Sequence, residues 1–192
     1  MSKIKLYGAT SGYVELTPPA VAPDETWTLG DASKLTSGTL PKARFPAGTI
    51  LQVVNSQSTT YTVIATSTPT DVGLSVSITP SSASNKIMVM ASGTLAVERA
   101  ASSAQDGFIR LMRDSTELIE SFITKITAQA GSYHPVSLTW LDSPATTSSV
   151  TYKVQAYANA TSSSGLVRWG GLNSAAPFDT KQGSITVIEV AG

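Results

Sequence analysis

The stretch Val72-Gly-Leu-Ser-Val-Ser-Ile78 decides the fold. Val72, Leu74, Val76 and Ile78 fall on one side of an extended chain, with Gly73, Ser75 and Ser77 on the other. Alternation at period two marks a strand with one dry face and one wet face, as antiparallel sheets have. The same pattern returns on either side. Ile50-Leu-Gln-Val-Val54 and Tyr61-Thr-Val-Ile64 precede it. Pro80-Ser-Ser-Ala-Ser-Asn85 then turns the chain into Lys86-Ile-Met-Val-Met90, which can run on toward Val97. Residues 107–113 and 117–123 flank the turn Asp114-Ser-Thr116 and read as a hairpin. Leu118, Phe122 and Ile126 also recur at a helical spacing, but β-branched and aromatic residues favour strand there. Residues 133–141, 150–157, 166–169 and 184–190 complete nine or ten strands with regular turn signals. Helical crossovers are missing, which excludes a parallel α/β fold. The expectation is an all-β, antiparallel β-sandwich or jelly-roll-like domain over residues 50–192. Within it, Trp140 alternates with Leu138 and is expected in the core.

Composition narrows the function. The chain has 192 residues, 13 Lys+Arg against 13 Asp+Glu, one His and no Cys. A neutral balance argues against nucleic acid as partner, since that would need clustered cations. The absence of Cys removes disulfides, thiolate metal sites and thiol nucleophiles. No apolar run approaches the roughly 18 residues of a membrane-spanning helix, so membrane insertion is not expected. The N-terminus lacks the apolar core of a secretory signal, and Met1 reads as the start of a whole gene product. Only 14% of residues are charged, while Ser and Thr are abundant. The solvent face is therefore largely hydroxyl rather than ionic.

Upstream of the β-domain the chain changes character. Residues 1–30 hold three short apolar runs cut by Gly and Pro: Lys3-Ile-Lys-Leu-Tyr7, Tyr13-Val-Glu-Leu16 and Thr26-Trp-Thr-Leu29. Such runs cannot close a core, since even a hairpin is marginal alone in water. They read as an extended attachment arm, with Leu6, Tyr7, Tyr13, Leu16, Trp27 and Leu29 as its contact residues. Trp27 is the candidate anchor in a partner's pocket. Residues 31–49 form a Pro/Gly linker in which Leu35, Leu40 and Phe45 recur every five residues. That spacing fits neither helix nor strand. Either the three side chains meet their copies around a symmetry axis, or they pin a loop to the domain.

Catalytic groups are scarce. His134 is the lone imidazole, which rules out histidine triads and multi-histidine metal sites. Asp106, Asp114, Glu117, Glu120, Asp142 and Asp179 supply carboxylates, mostly at turns, where Asp serves the backbone. No phosphate-cradling loop or calcium loop is present. The reading is a non-enzyme without catalytic residues, metal or cofactor. What remains is surface chemistry. Arg168 and Trp169, before the pair Gly170-Gly171, are interface-enriched types. Trp169 is either core or, with Arg168, a distal contact.

The arm Leu6-Tyr-Gly-Ala-Thr-Ser-Gly-Tyr-Val-Glu-Leu16 and its continuation to Leu29 resemble a motif of tailed-bacteriophage virion proteins, common in marine and cyanobacterial phages. Gly30 stands where that motif often has proline. Leu35-Thr-Ser-Gly-Thr-Leu-Pro-Lys-Ala-Arg-Phe-Pro46 is similar to a fibre-protein linker. Residues 72–82, 140–147 and 185–192 are similar to the β-domain that ends many such proteins. The resemblance implies a homotrimer on the virion surface, mounted through its N-terminus on a major capsid protein or a tail protein. One implied role is a capsid decoration protein, either a cement protein or a head fibre, stabilising the head. Another is a short tail fibre that recognises a host surface glycan. The chain departs from typical fibres in lacking a long shaft. A carbohydrate-binding module with an unrelated arm is the third alternative.

Overall fold

A computed structural model describes residues 4–7, 13–16, 45–99, 104–127, 131–160, 165–170 and 183–192. The chain divides into two compact units, Met1–Leu40 and Pro41–Gly192. In the first, β1 (Ile4–Tyr7) and β2 (Tyr13–Leu16) pair antiparallel, with Ile4 opposite Leu16 and Tyr7 opposite Tyr13.

The second unit is an antiparallel β-sandwich. Its strands are β3 (Ile50–Ser58), β4 (Thr62–Ile64), β5 (Thr70–Ile78), β6 (Lys86–Arg99), β7 (Gln105–Arg113), β8 (Thr116–Ile126), β9 (Gly131–Asp142), β10 (Val150–Ala160), β11 (Gly165–Trp169) and β12 (Gly183–Val190). One sheet has the order β5-β10-β7-β8. The other six strands form the second sheet, built on β6. Along one side of β6 runs β9; along the other lie β12 and then β11, in line, and these carry β3 and β4 on their outer edges. Among the described residues no helix is present.

The expected alternation in β5 holds. Val72, Leu74, Val76 and Ile78 are buried while Gly73, Ser75 and Ser77 face solvent. The ladder to β10 is nevertheless bulged: the single residue of β10 between Lys153 and Gln155 lies against three of β5 between Ser75 and Asp71. Gly73 sits in this bulge at φ +77, a conformation glycine adopts without penalty. Residues 117–126 are strand, not helix. The β7–β8 turn places Asp114 at φ 50, and two bonds to β10 hold it there. Its amide donates to the Thr151 carbonyl at 2.7 Å, and its carboxylate accepts from the Thr151 amide at 2.9 Å.

One core expectation is corrected. Trp140 does alternate with Leu138 toward the inner face, but it remains 37% exposed. The reason is position: among the described strands β9 pairs only with β6, so it is an edge. Pro135 lies in this edge strand, opposite Thr94. The Thr94 carbonyl accepts from the Gly170 amide on the other side of β6. Thr94 therefore turns its hydrogen-bonding groups away from β9, and the missing N–H of Pro135 falls on the open edge.

Two polar clusters tie the layers. Asp142 on β9 accepts from Arg113 Nη1 at 2.9 and 2.8 Å and from the Tyr152 hydroxyl at 2.7 Å. Arg113 and Tyr152 belong to the four-stranded sheet, so this cluster crosses the sandwich. Burial, and then the Asp142 carboxylate, push the Tyr152 phenol well above its ordinary value. Glu189 on β12 is fully buried. It accepts from the Ser81 amide (2.6 Å), Ser81 Oγ (2.7 Å), Asn85 Nδ2 (2.6 Å) and Gln52 Nε2 (2.6 Å). Desolvation pushes this carboxyl up, but the combined bonds from Asn85, Ser81 and Gln52 outweigh it and hold the pKa below the ordinary value.

Two outcomes follow. Glu189→Gln turns an acceptor into a donor facing donors, and should cost about 2–4 kcal/mol in urea unfolding. Because the folded pKa is lowered, the stabilisation from Glu189 is complete above the ordinary value of 4.5 and fades as pH falls through the lower folded value. The pH dependence between pH 5 and 3 should flatten in the Gln variant. Asp142→Ala strands Arg113 and should cost ~3 kcal/mol, whereas Tyr152→Phe should cost ~1 kcal/mol.

Candidate functional site: the two outer faces of the sandwich

A sandwich offers two outer faces, and here they differ in chemistry. On the four-stranded sheet many of the outward residues are ionic. Asp71, Lys153, Asp106, Arg110, Glu117, Glu120 and Lys125 all lie on it. Most are paired. Lys153 Nζ lies 2.9 Å from Asp71, and Arg110 bridges Glu117 (3.1 Å) and Glu120. Desolvation raises the Asp71 pKa, but bonds from Lys153 and Gln155 bring it below the ordinary value. Phe108 stacks on Tyr157 at 4.8 Å, meets Phe122 edge-on at 5.4 Å, and Arg110 lies over Tyr157. With Phe108 and Tyr157 stacked 8° from parallel on neighbouring strands, each turns a ring face to the other. This is a cross-strand ladder that stiffens the sheet, not a flat stacking platform.

The six-stranded sheet presents the opposite character. Leu141, Met88, Ile188 and Val53 lie directly opposite one another on β9, β6, β12 and β3, forming one apolar row across four strands. Ile50 and Val190 extend it at one end, and Met90 starts the next row. Ile50 is 60% exposed, Val53 57%, Leu141 48% and Met90 41%. The remaining neighbours, Thr139, Thr186, Asn55, Ser92, Ser184 and Ser137, carry no charge. Lys86 lies at one end of this face, and the pair Arg168–Glu98 at the other.

The residues singled out from sequence are placed as follows. Trp169 is 1% exposed, with its ring 2.6 Å from where a Cβ on Gly183 would sit. The distal-contact alternative is therefore corrected: β11 alternates, and Trp169 points inward while Arg168 points out. Arg168 forks onto Glu98, with Nη1–Oε1 at 2.9 Å and Nη2–Oε2 at 2.8 Å. Phe45, 37% exposed, lines a shallow cleft of about 270 Å³ with Leu51, Ser81, Asn85 and Gly192. Leu6, Tyr7, Tyr13 and Leu16 lie on the paired strands β1 and β2. Trp27, Leu29, Leu35 and Leu40 lie outside the described residues. Among the described residues no cluster of His, Asp and Glu is arranged to hold a metal ion. His134 Nε2 lies 2.5 Å from Ser132 Oγ on the inner face of the edge strand.

The apolar face was missed in the sequence reading, although a signal exists. Ile87-Met-Val-Met90, Val53-Val54 and Val187-Ile188 are apolar at consecutive positions, so both faces of those strands are apolar.

No family model matches the chain, and no curated protein matches it. Distant likenesses exist among solved structures. One is the infectious bursal disease virus VP2 subviral particle, with 12% identity over 71% of this chain and 32% of that one, at a TM-score of 0.37. A second is dimeric latent PorU from Porphyromonas gingivalis, with 8% identity over 76% and 14% of the chains, TM-score 0.35. A third is the T13 infectious bursal disease virus particle, with 11% identity over 93% and 41%, TM-score 0.35. The chain spans less than half the length of each.

Trp169→Ala should act as a core truncation, lowering stability by ~3–5 kcal/mol in chemical denaturation. Arg168→Ala loses a bidentate pair that is largely buried and leaves Glu98 without it, so it should cost about 1–3 kcal/mol.

Proposed function

We propose that this chain is a non-enzymatic virion structural protein. In this reading it is a homotrimeric capsid decoration protein that mounts through residues 1–30 and stabilises the head from the virion surface. The observation that carries the reading is the order of phage-like segments along a chain of two unequal units. The Pro41–Gly192 unit has its own core. The Met1–Leu40 unit is described by a hairpin of four-residue strands, too short for independent stability in water. In this reading the short hairpin belongs to the mounting device and the sandwich is its payload.

The mechanism follows from that division. Arm strands add to exposed sheet edges of the major capsid protein, where main-chain hydrogen bonds give affinity. Three arms on one trimer make attachment multivalent, so release of one does not release the particle. Bridging neighbouring capsid subunits adds contacts that oppose outward pressure. The fibre alternative places the same arm on a tail protein and a host glycan at the far end. Its distal contact loses Trp169, which lies in the core.

Deleting residues 1–30 tests the reading. The truncated chain should keep the cooperative melt of the parent and fail to co-sediment with capsids that lack this protein. Undiminished co-sedimentation would overturn it.

A further inference from the structure

We infer that the outer face of the six-stranded sheet is where copies of this chain pack against one another, with the row Leu141–Met88–Ile188–Val53 at the centre of the contact. This deepens the oligomer reading above and rests on it; the face itself comes from the fold.

The first argument is charge. The outer face of the four-stranded sheet carries seven named ionic side chains, several in pairs, as a solvated face should. Among the described residues the six-stranded face carries none between Lys86 at one end and Arg168–Glu98 at the other. In a chain with no net charge, a neutral face meets its own copy without like-charge repulsion. A charged partner would find nothing there to pair with.

The second argument is the state of its polar groups. Asn55 Nδ2 donates to the Ile185 carbonyl at 3.2 Å and to Thr186 Oγ1 at 2.8 Å. Ser92 Oγ and Ser184 Oγ lie 3.5 Å apart. Asn55 and Thr186 are thus satisfied within the sheet and the two serines lie close enough to approach each other, so drying the face leaves fewer groups unpaired.

The third argument is size. Four strands at about 4.8 Å and four rows at about 6.8 Å give roughly 500 Å² in projection, and side-chain relief adds to it. A standard interface takes about 800 Å² from each partner. Scattered apolar residues need no explanation, but a row that crosses four strands without a gap does.

The experiment compares the full chain with Val53→Glu/Leu141→Glu by sedimentation velocity and native mass measurement. Both positions are about half exposed in the single chain, so the variant should keep its circular dichroism and cooperative melt. Phe122→Glu, 55% exposed on the ionic face, is the matched control. The parent and the control should be oligomeric, and the double variant should need at least ~30-fold higher concentration to assemble. Because the chain has no Cys, Met90→Cys provides a second measurement: a thiol cross-linker should join copies through position 90. An oligomeric parent whose folded double variant assembles equally well overturns the face and leaves the oligomer reading standing. A monomeric parent overturns both. If the double variant does not fold, cross-linking decides: covalent oligomers support the face, and monomers from an oligomeric parent overturn it.

Discussion

Glu189 is a fully buried carboxylate that no cation pairs with among the described residues. Burying such a charge is costly unless hydrogen bonds replace its water, and here four donors do so. Their sources explain why the rest of the fold depends on them. Gln52 comes from β3, while Ser81 and Asn85 come from the turn that carries the chain from the four-stranded sheet to the six-stranded one. Asn85 also accepts from the Gly192 amide at 3.2 Å. One side chain thus fixes the crossover, the last strand and its neighbour. At the Asp142 end of β9, Arg113 and Tyr152 reach across from the other sheet in the same manner. A cysteine-free sandwich is closed by acceptors placed where donors from both layers converge.

How much of this is legible in the sequence depends on distance along the chain. The alternation of Val72, Leu74, Val76 and Ile78 is local, and it yields the strand and its buried face directly. The hairpin at Asp114 is local too. Trp140 misleads because its neighbours reveal which face it joins but not that its strand is an edge. Glu189 shares the parity of Ile185 and Val187, but its neighbours do not reveal what satisfies it, because Ser81, Asn85 and Gln52 lie more than a hundred positions away. Asp142 opens a turn-rich segment and looks like a turn residue, yet Arg113 and Tyr152 make it a buried acceptor.

The apolar row has the same origin. Each contributing strand holds only one or two outward apolar residues, unremarkable singly. Register alone aligns Val53 with Ile188, Met88 and Leu141, and register is a property of pairings that span the chain. The consecutive apolar positions hint at a second apolar face strand by strand, but the continuous row emerges only after folding.

The edge strand β9 has a consequence of its own. Twelve residues of open strand would ordinarily be a template on which the next chain could polymerise. Pro135 withdraws a donor from the middle of that template, on the side where a newcomer would dock. A chain with a neutral, partly apolar surface can then be crowded to high local density and still stop at a finite assembly, because growth strand by strand is interrupted where it would begin.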